Sequence, residues 1–89
     1  MSETIKLRNY KQFHYGDVVR CTSAVRGSKG KRYKFTGAVF NAEDRDTPLY
    51  LDLIEMGRGQ FRCVKEEFVV KDVAASKDAQ ARILDKETR

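Results

Sequence analysis

The residues best equipped for chemistry in this chain are its cations. Between positions 20 and 34 there are six basic residues (Arg20, Arg26, Lys29, Lys31, Arg32 and Lys34) and no acidic one. Arg58, Arg62 and Lys65 form a second basic group further on. Lysine and arginine at this density neutralise phosphates and release counterions. Gly27 and Gly30 in the same run allow close approach of backbone to a nucleic-acid strand, and Tyr33 beside Arg32 offers a ring for base stacking. The nucleic-acid-binding set is therefore Arg26, Lys29, Lys31, Arg32, Tyr33 and Lys34, joined by Arg58 and Arg62. Two blander readings stand beside it. The run is a solvated loop that keeps an edge strand soluble, or it is neutralised within the chain by Glu43, Asp44 and Asp46. Positions 35 to 57 carry five acidic residues against Arg45 alone, so the second reading has enough counter-charge.

No catalytic constellation is present. Asp52 and Glu55 are three apart in a strand pattern and face opposite sides. Glu66 and Glu67 are adjacent and read as the cap of a short turn. The single histidine, His14, has no serine or cysteine beside it in sequence. Gly27-Ser-Lys-Gly30 lacks the Gly-Lys-Ser/Thr ending of a phosphate-binding loop. Cys21 and Cys63 lack the paired Cys-x-x-Cys spacing of a zinc site and read as small buried hydrophobes. No metal, cofactor or enzymatic role is expected.

The elements that must position the cations are strands. Asp17 to Ser23 alternates, with Val19 and Cys21 on one face. Residues 33–41 are rich in aromatic and β-branched types and suit a pleated, half-buried surface. Strict alternation there puts Tyr33, Phe35, Gly37 and Val39 on one side, with Gly37 marking a bend, a bulge or a close backbone approach. Leu49, Leu51 and Leu53 line one face of a third strand over 49–56. Gly57-Arg58-Gly59 reads as a hairpin turn. A fourth strand over 60–65 is expected to bury Phe61 and Cys63, and a one-turn helix at 65–67 leads into a fifth strand at 68–71. Residues 74–89 read as a helix starting near Ser76, with a thin apolar stripe of Ala75, Ala79, Ile83 and Leu84. That stripe is too small to hold a helix alone in water.

Eighty-nine residues with 40% hydrophobic and 35% charged content make one small domain, and the formal charge of +5 favours an anionic partner. The polar opening residues and the lack of any apolar run near about 20 residues point to a cytoplasmic, reduced protein without a membrane span.

The segments Tyr15-Gly-Asp-Val-Val19, Phe35-Thr-Gly-Ala-Val39 and Glu66-Glu-Phe-Val-Val70 resemble the opening strand, the second strand and the helical turn with last strand of KOW, Tudor and related SH3-like modules. The resemblance covers about residues 15–73. It implies a mainly β fold, a five-stranded SH3-like small barrel over 15–73. The residues outside it read as an N-terminal arm at 1–14 that either adds a short strand or stays flexible, and a C-terminal helical tail at 74–89. In composition the chain also looks similar to small accessory proteins of phages or mobile elements.

Two functions of different class follow. One is a nucleic-acid-binding module using the cations above. The other is a protein-interaction module, such as a modulator of a host protein, that uses Phe40 and Tyr50 on an outer face together with Ile83 and Leu84 of the tail. Either works as a monomer or a homodimer.

Overall fold

The computed structural model describes residues 3–87, with side chains described through residue 83. In chain order the elements are β1 (Thr4–Leu7), β2 (Asn9–Tyr10), β3 (Phe13–His14), β4 (Val18–Cys21), β5 (Tyr33–Asn41), β6 (Tyr50–Glu55), β7 (Phe61–Val64), a 3₁₀ turn (Glu66–Phe68), β8 (Val69–Lys71) and α1 (Val73–Glu87). The protein is thus mainly β with one C-terminal helix.

The nine residues of β5 are the spine. One edge of β5 pairs with β6 along its length. The other edge pairs first with β4, at Tyr33 and Lys34, and then with β1, from Ala38 to Asn41. The main path runs β7-β6-β5-β4-β8, every neighbouring pair antiparallel, and β2 and β3 form a separate hairpin. β7 and β8 lie at opposite ends of that path and do not pair with each other, so the sheet stays open rather than closing into a barrel. The strands also exceed the expected five. Residues 4–14 supply the surplus: Ile5 packs against the core and Phe13 is buried within it, which holds β1 and the β2–β3 hairpin in place. With four and three residues, the edge strands β7 and β8 are short.

The glycine in β5 marks a real irregularity. The pairing register shifts between Phe35 and Gly37, so the strand gains a residue there and its faces swap. Tyr33 and Phe35 enter the core before the bulge, and Ala38 and Phe40 enter it afterwards. Strict alternation would have placed Gly37 and Val39 inward. Glycine is required at 37 because β1 crosses so closely. A Cβ built there would lie 3.0 Å from the Leu7 carbonyl oxygen and 2.6 Å from Lys6 Cε.

The core joins these residues to Phe13, Val19, Leu51, Leu53, Val64 and Val69. Phe13 stacks on Phe35 at 5.5 Å between ring centroids, and Tyr10 meets Phe40 edge-on at 5.4 Å. Full burial of one such side chain contributes about 1.5–3 kcal/mol. Phe61 and Cys63 do not join them, which corrects the assignment of both to the core. In the β6–β7 register Phe61 pairs with Ile54 and Val64 with Leu51. Leu51 is inward, so Val64 turns inward and Phe61 outward. Phe61 is 71% exposed, Cys63 is exposed, and Cys21 is half-buried.

α1 begins three residues earlier than Ser76. Asp72 stops β8 and starts the helix: its Oδ1 accepts the Ala75 N–H at 3.1 Å, and its carbonyl accepts the Ser76 N–H at 2.9 Å. The helix docks over β4 largely through polar groups. Ser76 Oγ accepts the Val18 N–H at 2.9 Å and donates to the Val18 carbonyl at 3.0 Å. Gln80 Nε2 donates to the Tyr15 carbonyl and to Asp17 Oδ1, both at 2.9 Å. The buried Asp17 carboxylate also accepts the His14 N–H at 2.8 Å and faces Lys71 Nζ at 3.2 Å. Gly16 lies beneath Ile83 with φ of +94°, and a Cβ there would come within 2.5 Å of Ile83 Cδ1. No helix among the described residues is long and apolar enough to cross a membrane.

Candidate nucleic-acid interface

The two basic groups, far apart in sequence, meet at one end of the sheet. The loop of residues 22–32 feeds β5 at Tyr33, and Tyr33 pairs with Glu55, the last residue of β6. The turn of residues 56–60 therefore sits beside the loop. Met56 N–H donates to the Arg32 carbonyl at 3.0 Å, which ties one to the other. Arg62 reaches back from β7, with one guanidinium nitrogen on the Arg26 carbonyl and the other 3.3 Å from the Tyr33 hydroxyl.

The loop is built from successive turns. Val25 N–H bonds the Thr22 carbonyl at 3.0 Å, Ser28 N–H the Val25 carbonyl at 3.4 Å, and Lys31 N–H the Ser28 carbonyl at 3.0 Å. Ser28 is buried and its hydroxyl also donates to the Val25 carbonyl at 2.7 Å. This internal bonding turns the charged side chains outward. Arg26, Lys29, Arg32 and Arg58 are exposed, and none of them pairs with a carboxylate among the described residues.

The remaining members of the expected set are placed differently. Lys31 is half-buried and pairs with Glu55 at 3.6 Å. Lys34 lies on the outer face, its Nζ 4.7 Å above the Tyr15 ring. Arg62 is a strut rather than a free cation. Tyr33 is only 1% exposed and carries core packing, so it cannot stack on a base. The exposed ring at this end is Phe61, which shares a hollow with Lys31, Tyr33 and Arg62. The outward turn of Phe61 follows from the β6–β7 register, and sequence alternation alone does not fix it.

The basic loop does not meet Glu43, Asp44 and Asp46. It enters β5 at Tyr33, whereas residues 42–49 leave β5 at Asn41. Eight residue steps along a strand put those ends roughly 25 Å apart. Glu43 and Asp46 instead take part in local turns through Asn41 and Asp44.

The residues expected at a protein interface are dispersed. Phe40 is 1% exposed because β1 and the edge-on Tyr10 ring cover it. Tyr50 is half-buried, Ile83 is half-buried against Gly16, and the side chain of Leu84 falls outside the described residues. Among the described residues no group of three His, Cys, Asp or Glu is placed to hold a metal ion. No protein-family model, curated protein or solved structure matches this chain.

Proposed function

We propose that this chain is a small non-catalytic module that binds nucleic acid through phosphate contacts at its basic end. The observation that carries the reading is the separation of charge in space. Arg26, Lys29 and Arg32 lie on the loop of 22–32 and Arg58 on the turn of 56–60, two segments joined by the Arg32–Met56 backbone hydrogen bond, while the acidic loop lies at the far end of β5. Cations held this way, without carboxylates to neutralise them, attract a polyanion and release its counterions on binding. The order β7-β6-β5-β4-β8 and the 3₁₀ turn ahead of β8 support an SH3-like reading of residues 15–73 in an open form.

The test is a salt titration against labelled single- and double-stranded DNA and RNA. Affinity falls with salt, and the Lys29/Arg32/Arg58 triple alanine variant reduces the log–log slope by about 2–3, since each lost phosphate contact removes about 0.7–0.9. An unchanged slope in the triple variant refutes the reading. A protein partner is the second reading, favoured by the free edge of β7 with its exposed Phe61. It takes over if no nucleic acid binds at low salt and purified β7-edge variants lose capture of a defined partner.

A further inference from the structure

The outer face of the sheet carries a row of side chains across four strands. Val18 of β4 pairs with Lys34 of β5, Lys34 with Ile54 of β6, and Ile54 with Phe61 of β7. Directly paired residues of antiparallel strands share a face. Their chain neighbours Val19, Tyr33, Phe35 and Leu53 all belong to the core, so the row points the other way. α1 closes over the Val18 end through Ser76. Further along the row, α1 flanks Lys34, which shares a hollow with Ala79, Arg82 and Ile83, while no described element covers Ile54 or Phe61. Lys34 and Ile54 are half-buried and Phe61 is exposed. Beyond Lys34 lies Tyr15, 39% exposed, with Arg8 Cζ at 5.2 Å and Lys34 Nζ at 4.7 Å from its ring centroid. Neither cation pairs with a carboxylate among the described residues. The carboxylate of this face, Asp52, is tied to Lys6 at 3.1 Å.

We infer that this outer face is a stacking platform for single-stranded nucleic acid, with Phe61 and Tyr15 each taking one unpaired base and Lys34 and Arg8 holding phosphate beside Tyr15. The inference rests on the phosphate-binding reading of the basic end and adds the form of nucleic acid that is bound. Phe61 and Lys34 are two strand spacings apart, roughly 10 Å, so the two rings cannot clamp a single base between them. A ring exposed on a flat sheet needs a base whose face is free, and duplex stacking covers those faces. Phe61 sits beside Arg62 at the basic end, and Met56 connects Arg32 to the hollow it shares with Lys34. The platform therefore lies next to the loop and turn that carry the phosphate-binding cations.

The experiment measures binding of a fluorescein-labelled twelve-nucleotide oligo(dT) and of a duplex of equal length over one matched salt series that starts at low salt. Wild-type protein prefers the single strand. Phe61→Ala and Tyr15→Leu each weaken single-strand binding by roughly 5- to 100-fold with the salt slope unchanged, because a stacking contact is lost and no phosphate contact is. Phe61→Trp retains binding, and its emission is quenched on adding the oligonucleotide. Circular dichroism confirms that each variant is folded. Equal affinity for duplex and single strand overturns the platform and leaves the basic end intact. So does wild-type affinity in both Phe61→Ala and Tyr15→Leu with unchanged Phe61→Trp emission. Absence of wild-type binding to either probe at low salt removes the phosphate-binding reading itself.

Discussion

Ser76 closes both polar backbone groups of Val18, accepting its N–H at 2.9 Å and donating to its carbonyl at 3.0 Å. One hydroxyl on the first turns of α1 thus does for β4 what a neighbouring strand does elsewhere. Both residues are buried, so no water replaces the bond. Ser76→Ala leaves the Val18 N–H without a partner, while the carbonyl keeps the Asp72 N–H at 2.9 Å. A buried donor left unpaired costs about 1–3 kcal/mol. The variant is expected to lower the unfolding midpoint by roughly 5–20 °C for a chain of this size, measured by thermal denaturation. Ser76→Thr keeps the hydroxyl and serves as the control. An unchanged midpoint in Ser76→Ala means that the helix does not hold β4.

The link between the N-terminal hairpin and the 3₁₀ turn is sensitive to acid. Lys11 occupies a left-handed conformation at φ of 51°, and its Nζ lies 3.1 Å from Glu66 Oε1. Burial pushes the Glu66 carboxyl up, but hydrogen bonding to Tyr10 and Lys11 outweighs it and holds the group below the usual value of 4.5. A depressed carboxyl stabilises the folded state above its unfolded value, and that contribution is lost as pH falls through the folded value. Wild type is therefore expected to exceed Glu66→Gln in stability at pH 6–7, with the gap closing below about 4.5. Paired urea titrations across pH measure it. A gap independent of pH would show that the Glu66 charge contributes nothing.

Cys63 is exposed but poorly suited to act as a nucleophile. Partial burial raises its thiol, and Asp52 raises it further, accepting from Sγ at 3.4 Å. The thiolate is the reactive form, so alkylation near pH 8 should be slow for an exposed cysteine. Asp52→Asn removes the adjacent negative charge and is expected to speed iodoacetamide labelling of Cys63 several-fold. Cys21, raised by burial, should stay unmodified in the folded protein. Mass spectrometry of timed quenches separates the two sites. A rate unaffected by Asp52→Asn would show that Asp52 does not control this thiol.

The β character of 17–23, 33–41 and 49–56 was legible from period-2 patterns of apolar residues, although in the structure the alternation breaks at the β5 bulge and Leu49 lies exposed just ahead of β6. Gly37 announced its bulge for the same reason, since a glycine amid aromatics has no packing role of its own. Three features were not legible. Residues 4–14 are mostly polar and enter the fold through Ile5 and Phe13, too few anchors to show a period. Residues 61–64 hold an apolar residue on each face at either register, so only pairing with β6 decides that Val64 turns inward and Phe61 outward. α1 docks by Ser76 and Gln80, which a search for an apolar stripe passes over. The site divides along the same line. The cations follow from charge density alone, but the choice between Tyr33 and Phe61 as the exposed ring depends on register.

Arg62 tests whether the cations at the basic end all serve the same purpose. Its two guanidinium contacts go to the Arg26 carbonyl and the Tyr33 hydroxyl, which fastens the loop of 22–32 to β7. Arg62 therefore acts on a nucleic acid by positioning Arg26 and its neighbours. Arg62→Ala is expected to weaken oligonucleotide binding severalfold through a looser loop while leaving the salt slope near wild type. Arg32→Ala, which removes an exposed cation, should reduce that slope by about 0.7–0.9. Hydrogen exchange at the Ser28 and Lys31 amides gives a second readout, since both bond within the loop and should exchange faster in Arg62→Ala only. Equal slope changes in the two variants, with no difference in exchange, would place Arg62 among the phosphate contacts instead.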